Sequence, residues 1–281
     1  MGELSMRSGR AHFSLLLAVG LAAEIFLSAT CVAAGIFDPW PVSAFVTDPM
    51  RAGQQLVQSE AVKVIFPEEG DTTLAADPTM QYQEIEGYGA AITDSTLIAL
   101  SQLPRKAREQ LLRRLFDPKN GLNITYLRVP VGATDFGTEA YTYLDLPAGQ
   151  TDPELNGFNF SRAKKLVSFL RHVKKINPEI RIMLSPWSPP AWMKTSGSLN
   201  GGNLKPELFS VYAEYLSKAI TSFNDAGINI DTITVQNEPY FSTDKYPSMS
   251  MEAPEQITFI RDHLYPLLAN KGIDTKILAL D

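Results

Sequence analysis

Thr232-Ile233-Thr234-Val235-Gln236-Asn237-Glu238-Pro239 is the stretch around which the chain is organised. Its first five residues are β-branched or apolar at alternating places, the pattern of a short buried strand. Pro239 has no N–H to give a central ladder, so the strand ends there. Asn237 and Glu238 are thereby set side by side at the strand's carboxyl tip. In a sheet or barrel of parallel strands, sites are built at that edge. A carboxylate there can donate or accept a proton, with a neighbouring amide to orient a hydroxyl-bearing ligand. The bland alternative is a solvated strand end that happens to read Asn-Glu-Pro. The stretch alone does not separate the two.

On either side of it the chain alternates strand and helix. Glu84 to Gly89 reads as a first strand with glycines at its end, Asn123 to Val129 as a second and Glu179 to Ser185 as a third, stopped by Pro186. Thr275 to Leu280 is the fifth. Between them, Pro104 through Phe116 places Leu111, Leu112, Leu115 and Phe116 on one face behind an N-terminal proline. Ser161 through Ile176 has Leu166, Phe169, Leu170 and Val173 at i, i+3, i+4 and i+7. A helix from Pro206 is capped by Gly227, and another runs from Pro254 to about Asn270, stopped by Gly272. This order predicts an α/β fold with a parallel sheet and right-handed crossovers. Five strands suit either a doubly wound sheet or a (β/α)8 TIM barrel cut short. Gly87-Tyr88-Gly89 lacks the third glycine of a dinucleotide fingerprint, which argues against the former.

The N-terminus carries Arg7 and Arg10, then the apolar run Phe13 to Leu27, then small residues at Val32-Ala33-Ala34. That is a secretory signal pattern over 1–34, and it implies a secreted or lysosomal-type destination. Glu24 inside the run keeps an uncleaved anchor as the competing reading. The single cysteine, Cys31, would leave with the signal, so the mature chain would hold no disulfide, thiol nucleophile or thiolate metal site. Residues 35–82 read as β-structure with turns, Phe45-Val46-Thr47 and Ala61 to Phe66 being strand-like. That segment is too short to close a core of its own. The catalytic-type alternation occupies 83–281.

With 44% apolar and 20% charged residues, the 281-residue chain has an ordinary globular composition. Its net charge of −6 argues against a nucleic-acid partner. No P-loop, EF-hand or histidine cluster appears, and His172 and His263 fall within helices as surface or packing residues. No metal or cofactor is expected.

The tips of the other strands carry a consistent set of residues. The first leads into Asp94, which could equally be the N-cap of the next helix. The second leads into Arg128, then Asp135-Phe136. The third leads into Trp187 and Trp192 within a proline-rich loop. A tryptophan's flat apolar face matches the C–H face of a pyranose. Both rings plugging the barrel top as core is the competing expectation, and the weaker one. An acid, an amide, an aspartate, an arginine and aromatic platforms on one face are what recognition of a sugar needs.

Glu84 through Ser95, Leu127-Arg128-Val129-Pro130 with Asp135-Phe136, Tyr141 through Asp145, Ser185 through Lys194 and Gln236-Asn237-Glu238-Pro239 together resemble glycoside hydrolase family 30, most closely its glucosylceramidase branch. The likeness runs from about Gln83 to Asp281. It implies a (β/α)8 barrel with a β-rich side domain to which both chain termini contribute. By resemblance Glu238 is the general acid/base, Asn237 binds the sugar's 2-hydroxyl, Asp135 and Trp187 line the sugar subsite, and Arg128 supports the carboxylates from below. The implied reaction is retaining hydrolysis, in which the acid protonates the leaving-group oxygen while a second carboxylate, about 5–5.5 Å away, attacks the anomeric carbon.

The resemblance places that nucleophile at the tip of a seventh strand. No acidic residue here occupies such a place, and Glu252 and Glu255 follow the fourth strand. The expectation is therefore a barrel truncated after about its fifth strand, inactive and poorly soluble as it stands. The implied partner is a β-glucoside, either a glycolipid, which would bring contact with a membrane surface, or a β-glucan. An endo-β-1,6-glucanase or β-xylanase of the same family is the alternative to a glucosylceramidase. A carbohydrate- or lipid-binding remnant without chemistry is the third reading.

Overall fold

The computed structural model describes residues 45–46, 57–58, 79–279 and 281. The chain divides into two compact units, Met1–Gln81 and Tyr82–Asp281. In the first, β1 (Phe45–Val46) pairs antiparallel with β2 (Val57–Gln58). The first of these falls within the strand expected from the sequence. The signal segment and the strand expected at Ala61 to Phe66 lie outside the described residues.

The second unit is a parallel sheet of β3 (Gly89–Ala91), β4 (Tyr126–Val131), β5 (Arg181–Pro186), β6 (Thr232–Thr234) and β7 (Lys276–Leu278), lying side by side in chain order. Sequential order settles what the alternation left open. A doubly wound sheet reverses its strand order at a switch point, whereas a barrel never does.

The sheet also curls. Neighbouring strands lie about 4.8 Å apart, so a flat sheet would hold β3 and β7 roughly 19 Å apart. Yet Glu86, just ahead of β3, is bonded to Lys276 of β7 at 2.6 Å. Between β4 and β6, two steps apart, the Tyr126 and Thr232 hydroxyls meet at 2.9 Å. Those chords run across the inside of a barrel arc.

Side-chain alternation follows the curl. Tyr126, Arg128, Ser185, Thr232 and Thr234 point to the inside. Leu127, Val129, Val131, Ile182, Leu184 and Ile233 point the other way and are all but sealed, at 0–1% exposure. Burying each such aliphatic side chain is worth about 1.5–3 kcal/mol. The covering helices are α1 (Asp94–Gln102), α2 (Arg105–Phe116), α3 (Lys164–Ile176) and α4 (Phe209–Asp225). The last three bring Phe116, Leu170, Val173, Tyr212, Leu216 and Phe223 to the same core, and α1 adds Leu97 and Leu100, partly buried, at its margin.

Several boundaries differ from expectation, among them β5, which begins at Arg181 and keeps Pro186, expected to stop it, paired with Val131 as its last residue. The first strand begins at Gly89 rather than ending there, because a Cβ at Gly89 would lie 1.5 Å from the Tyr126 carbonyl oxygen. The close approach, not a turn, is what the glycine serves. The cap of α1 is Thr93, whose N–H bonds the Thr96 hydroxyl at 3.3 Å, and Asp94 is the first helical residue. Strand β4 runs two residues beyond Val129. The single helix expected from Pro254 is α5 (Ala253–Phe259), a π-turn (Ile260–Leu264) and α6 (Tyr265–Asn270). Pro266 lacks an N–H, and the widened turn just before it absorbs that break.

Candidate active site

Strand β6 leaves its ladder at Thr234, two residues earlier than the alternation suggests. The reason lies in its new partners. The Asn237 N–H donates to the Pro186 carbonyl at 2.8 Å. The buried Gln236 side chain donates through Nε2 to the carbonyls of Trp187 (2.7 Å) and Asn237 (3.0 Å). The tip of β6 is thus pinned to the tip of β5. Glu238 then takes left-handed backbone at φ 45°, uncommon for a residue with a Cβ. The Phe241 N–H closes the turn onto the Glu238 carbonyl at 2.8 Å. Asn237 is left buried and Glu238 exposed.

Arg128 lies beneath this pair. Its Nη2 donates to Asn237 Oδ1 at 2.8 Å, to Ser185 Oγ at 2.9 Å and to Asp281 Oδ2. Ser185 in turn donates to Asp281 Oδ2 at 2.6 Å and accepts from Thr234 at 2.8 Å. With Asn237 Oδ1 engaged by the cation, Nδ2 faces Glu238 Oε2 at 3.3 Å. Four strands therefore contribute to one inward-facing polar network, joined by charge-assisted hydrogen bonds.

Trp187 is 6% exposed and Trp192 9%. The expectation that at least one ring stands open is corrected: both are buried. Trp192 belongs to the main core, whereas Trp187 carries the Arg128 guanidinium on its face at 4.6 Å. Arg128 is itself bonded to the Asn237 side chain, so Trp187 remains part of the same cluster.

Asp135 and Phe136 are exposed on the loop after β4. The sequence reading missed Tyr246, which faces this region. Its phenol is pushed up from the ordinary value first by burial, then by the negative charges of Glu238 and Asp135. That shared field relates the two carboxylates to one ring. Nothing in the spacing around Tyr246 singles it out. Asp281 was missed too, although it lies just past a strand, the same signal that selected Glu238.

A buried lysine holds the surrounding loops together. Lys194 is wholly inaccessible and donates through Nζ to Ser188 Oγ (3.0 Å), Leu199 O (2.7 Å) and Ser248 O (2.5 Å). Burial lowers its pKa to about 7. The loop carrying Trp187 is thereby tied to the one carrying Tyr246.

Asp94 lies elsewhere, hydrogen-bonded by Tyr141, and its carboxyl is raised chiefly by burial. It lines a cleft of about 440 Å³ with Glu139, Arg162 and Lys165. A second cleft of about 610 Å³ runs along α3. Arg128, Asp135, Trp187, Asn237 and Glu238 line neither. His172 bonds Glu109 at 2.8 Å and His263 bonds Ser210 at 2.9 Å, both on the helical exterior. Among the described residues, no three His, Cys, Asp or Glu side chains are grouped to hold a metal ion, and no helix is long and apolar enough to cross a membrane.

A curling parallel sheet with a carboxylate and an amide at its carboxyl edge defines a (β/α) barrel of the enzyme type. The chain belongs to glycosyl hydrolase family 30: residues 85–281 match that family's TIM-barrel domain. It is 37% identical over 216 residues to an endo-1,6-β-D-glucanase of Aspergillus fumigatus, a match covering 71% of this chain and 44% of the relative. With the lysosomal acid glucosylceramidase of Mus musculus it shares 31% identity over 219 residues, covering 74% and 42%. Among solved structures it superposes on an endo-β1,6-glucanase with a TM-score of 0.67 and 33% identity, covering 73% of this chain and 46% of that one. The chain thus spans less than half the length of these relatives.

Proposed function

We propose that this chain carries the acid/base half of a retaining β-glycosidase whose substrate is a β-1,6-linked glucan. Glu238 gives its proton to the glycosidic oxygen as the bond to the leaving group breaks. It later takes a proton from the water that releases the glycosyl-enzyme. Asn237 donates through Nδ2 to the sugar's 2-hydroxyl, Asp135 lines the sugar subsite, and Arg128, backed by the buried Trp187 ring beneath that subsite, orients the amide. The attacking carboxylate belongs, by family resemblance, to a strand beyond the five of this sheet. The same reading takes residues 1–34 as an export leader and 35–82 as part of a β-rich side domain, for a secreted or lysosomal-type enzyme.

The observation that carries this is the relay from Arg128 through Asn237 to Glu238. It fixes which amide atom points outward beside the carboxylate. The choice of β-1,6-glucan rests on the 37% identity to an endo-1,6-β-D-glucanase, against 31% to the glucosylceramidase. Glucosylceramide is the second reading, kept by that 31% relative.

Calorimetric titration of the chain with a β-1,6-linked glucotriose, a xylotriose and vesicles containing glucosylceramide separates the candidates. The proposal expects saturable binding of the glucotriose, retained in Glu238→Gln and weakened about tenfold or more in Asn237→Ala. Binding to xylotriose or to the vesicles alone would replace the substrate named here.

A further inference from the structure

Glu238 is followed by two aromatic side chains that the proposed chemistry does not use. Tyr240 is 56% exposed and Phe241 48%. Large exposed aromatics grouped at one edge of a site mark a binding surface more often than a solvated loop. Here they are held in place. The turn between Glu238 and Phe241 is closed at 2.8 Å, and the Met251 N–H returns to the Pro239 carbonyl at 2.8 Å. Within the loop, Ser248 accepts from the Thr243 N–H at 3.0 Å and donates to the Thr243 carbonyl at 2.9 Å. Its own carbonyl accepts from the buried Lys194.

Two rings of the loop stand together, with Tyr240 next to one of them in the chain. Phe241 and Tyr246 have centroids 6.5 Å apart at an interplanar angle of 31°. Tyr246 also feels the negative charges of Glu238 and Asp135, which sets this ring pair near the carboxylates, on the loop that leaves Glu238. A general acid protonates the leaving-group oxygen. What stands just beyond it on the same loop therefore meets the departing half of the substrate.

The geometry points to Tyr240 and Phe241 as a leaving-group subsite that stacks a second sugar ring; this rests on the reading of Glu238 as the acid. The occupant is a sugar and not an acyl chain. Between the aromatics the loop reads Ser242, Thr243, Asp244 and Lys245. Flat rings separated by hydroxyl, carboxylate and ammonium groups match a pyranose, with its apolar faces and polar rim. An acyl chain requires an unbroken apolar groove, which this loop does not offer.

The test compares methyl β-glucoside, which fills only the glycone position, with a β-1,6-linked glucotriose, both titrated calorimetrically into the full chain. The wild type is expected to bind the glucotriose about tenfold tighter than the methyl glucoside, the size of one to two aromatic stacking contacts. In Tyr240→Ala/Phe241→Ala that ratio falls towards one, and Phe241→Tyr restores most of it. A double variant with the wild-type ratio overturns the subsite, as does a wild type that binds both ligands equally. Loss of binding to glucosylceramide vesicles with the ratio intact also overturns it, in favour of a lipid face. A wild type that binds neither ligand instead removes the reading of Glu238 and Asn237 on which the subsite depends.

Discussion

The Asn237 side-chain carbonyl accepts from Arg128 Nη2 at 2.8 Å, and this contact orients the amide beside the candidate acid. An amide can turn either way with little cost when unheld. A cation on its oxygen admits one orientation, so Nδ2 is presented to Glu238 and to whatever lies beside it.

Arg128→Lys tests the relay. Lysine keeps the charge but lacks the flat guanidinium that lies on Trp187 while its Nη2 reaches Asn237, Ser185 and Asp281. We expect a stability loss of about 1–2 kcal/mol in urea unfolding and a glucotriose affinity about tenfold weaker. A variant with wild-type affinity would show that the amide needs no such support.

Lys194→Met should loosen the two loops at once, because it removes the shared donor to Ser188, Leu199 and Ser248 and leaves the Ser248 carbonyl without it, while the Leu199 carbonyl keeps only the Ser248 N–H. The expected cost is about 1–3 kcal/mol. The pH dependence has a definite sign. Burial depresses the folded pKa to about 7, below the ordinary 10.5. Between those values the unfolded chain binds more protons, so this group's contribution to stability grows as pH rises from 7 towards 10.5 and is lost as pH falls through 7. Urea midpoints of wild type minus variant, measured across pH 6–10, should rise; a flat difference would refute the depressed pKa.

Gly89→Ala should prevent the first barrel strand from docking. The added methyl would meet the Tyr126 carbonyl at 1.5 Å, and backbone cannot yield as a side chain can. A loss of about 3 kcal/mol or more is expected in thermal or urea unfolding. An unchanged melt would mean that β3 is paired differently.

Glu238→Gln should spare sugar binding and remove proton transfer. In a barrel that also carries the attacking carboxylate, hydrolysis of an unactivated β-glucoside should fall by about 10²–10⁴. A glucoside with a strongly acidic leaving group needs no proton and should lose far less. Equal losses on both substrates would assign Glu238 another role.

Much of this was legible beforehand for a physical reason. Strand order and helix faces follow from periodicity, and the apolar stripes of α3 and α4 are long enough to read. That Glu238 lies beyond a strand was readable from Pro239, although β6 leaves its ladder at Thr234, well before the proline. What escaped was whatever depends on contacts between distant segments. The strand at Gly89 is set by the Tyr126 backbone, not by its own residues. Trp187 looked like an open platform because nothing local announces that Arg128 covers it. Tyr246 and Lys194 belong to loops whose approach only the folded chain reveals. Asp281, by contrast, was readable by the rule applied to Glu238.

The most direct measurement is an NMR titration of the chain with a β-1,6-linked glucotriose, following the Asn237 side-chain amide and the Trp187 indole N–H. The relay from Arg128 predicts saturable shifts at both, and their loss at the indole in Asn237→Ala. If neither signal moves, or the indole responds unchanged without Asn237, the strand tip at Asn237 and Glu238 is not the sugar site.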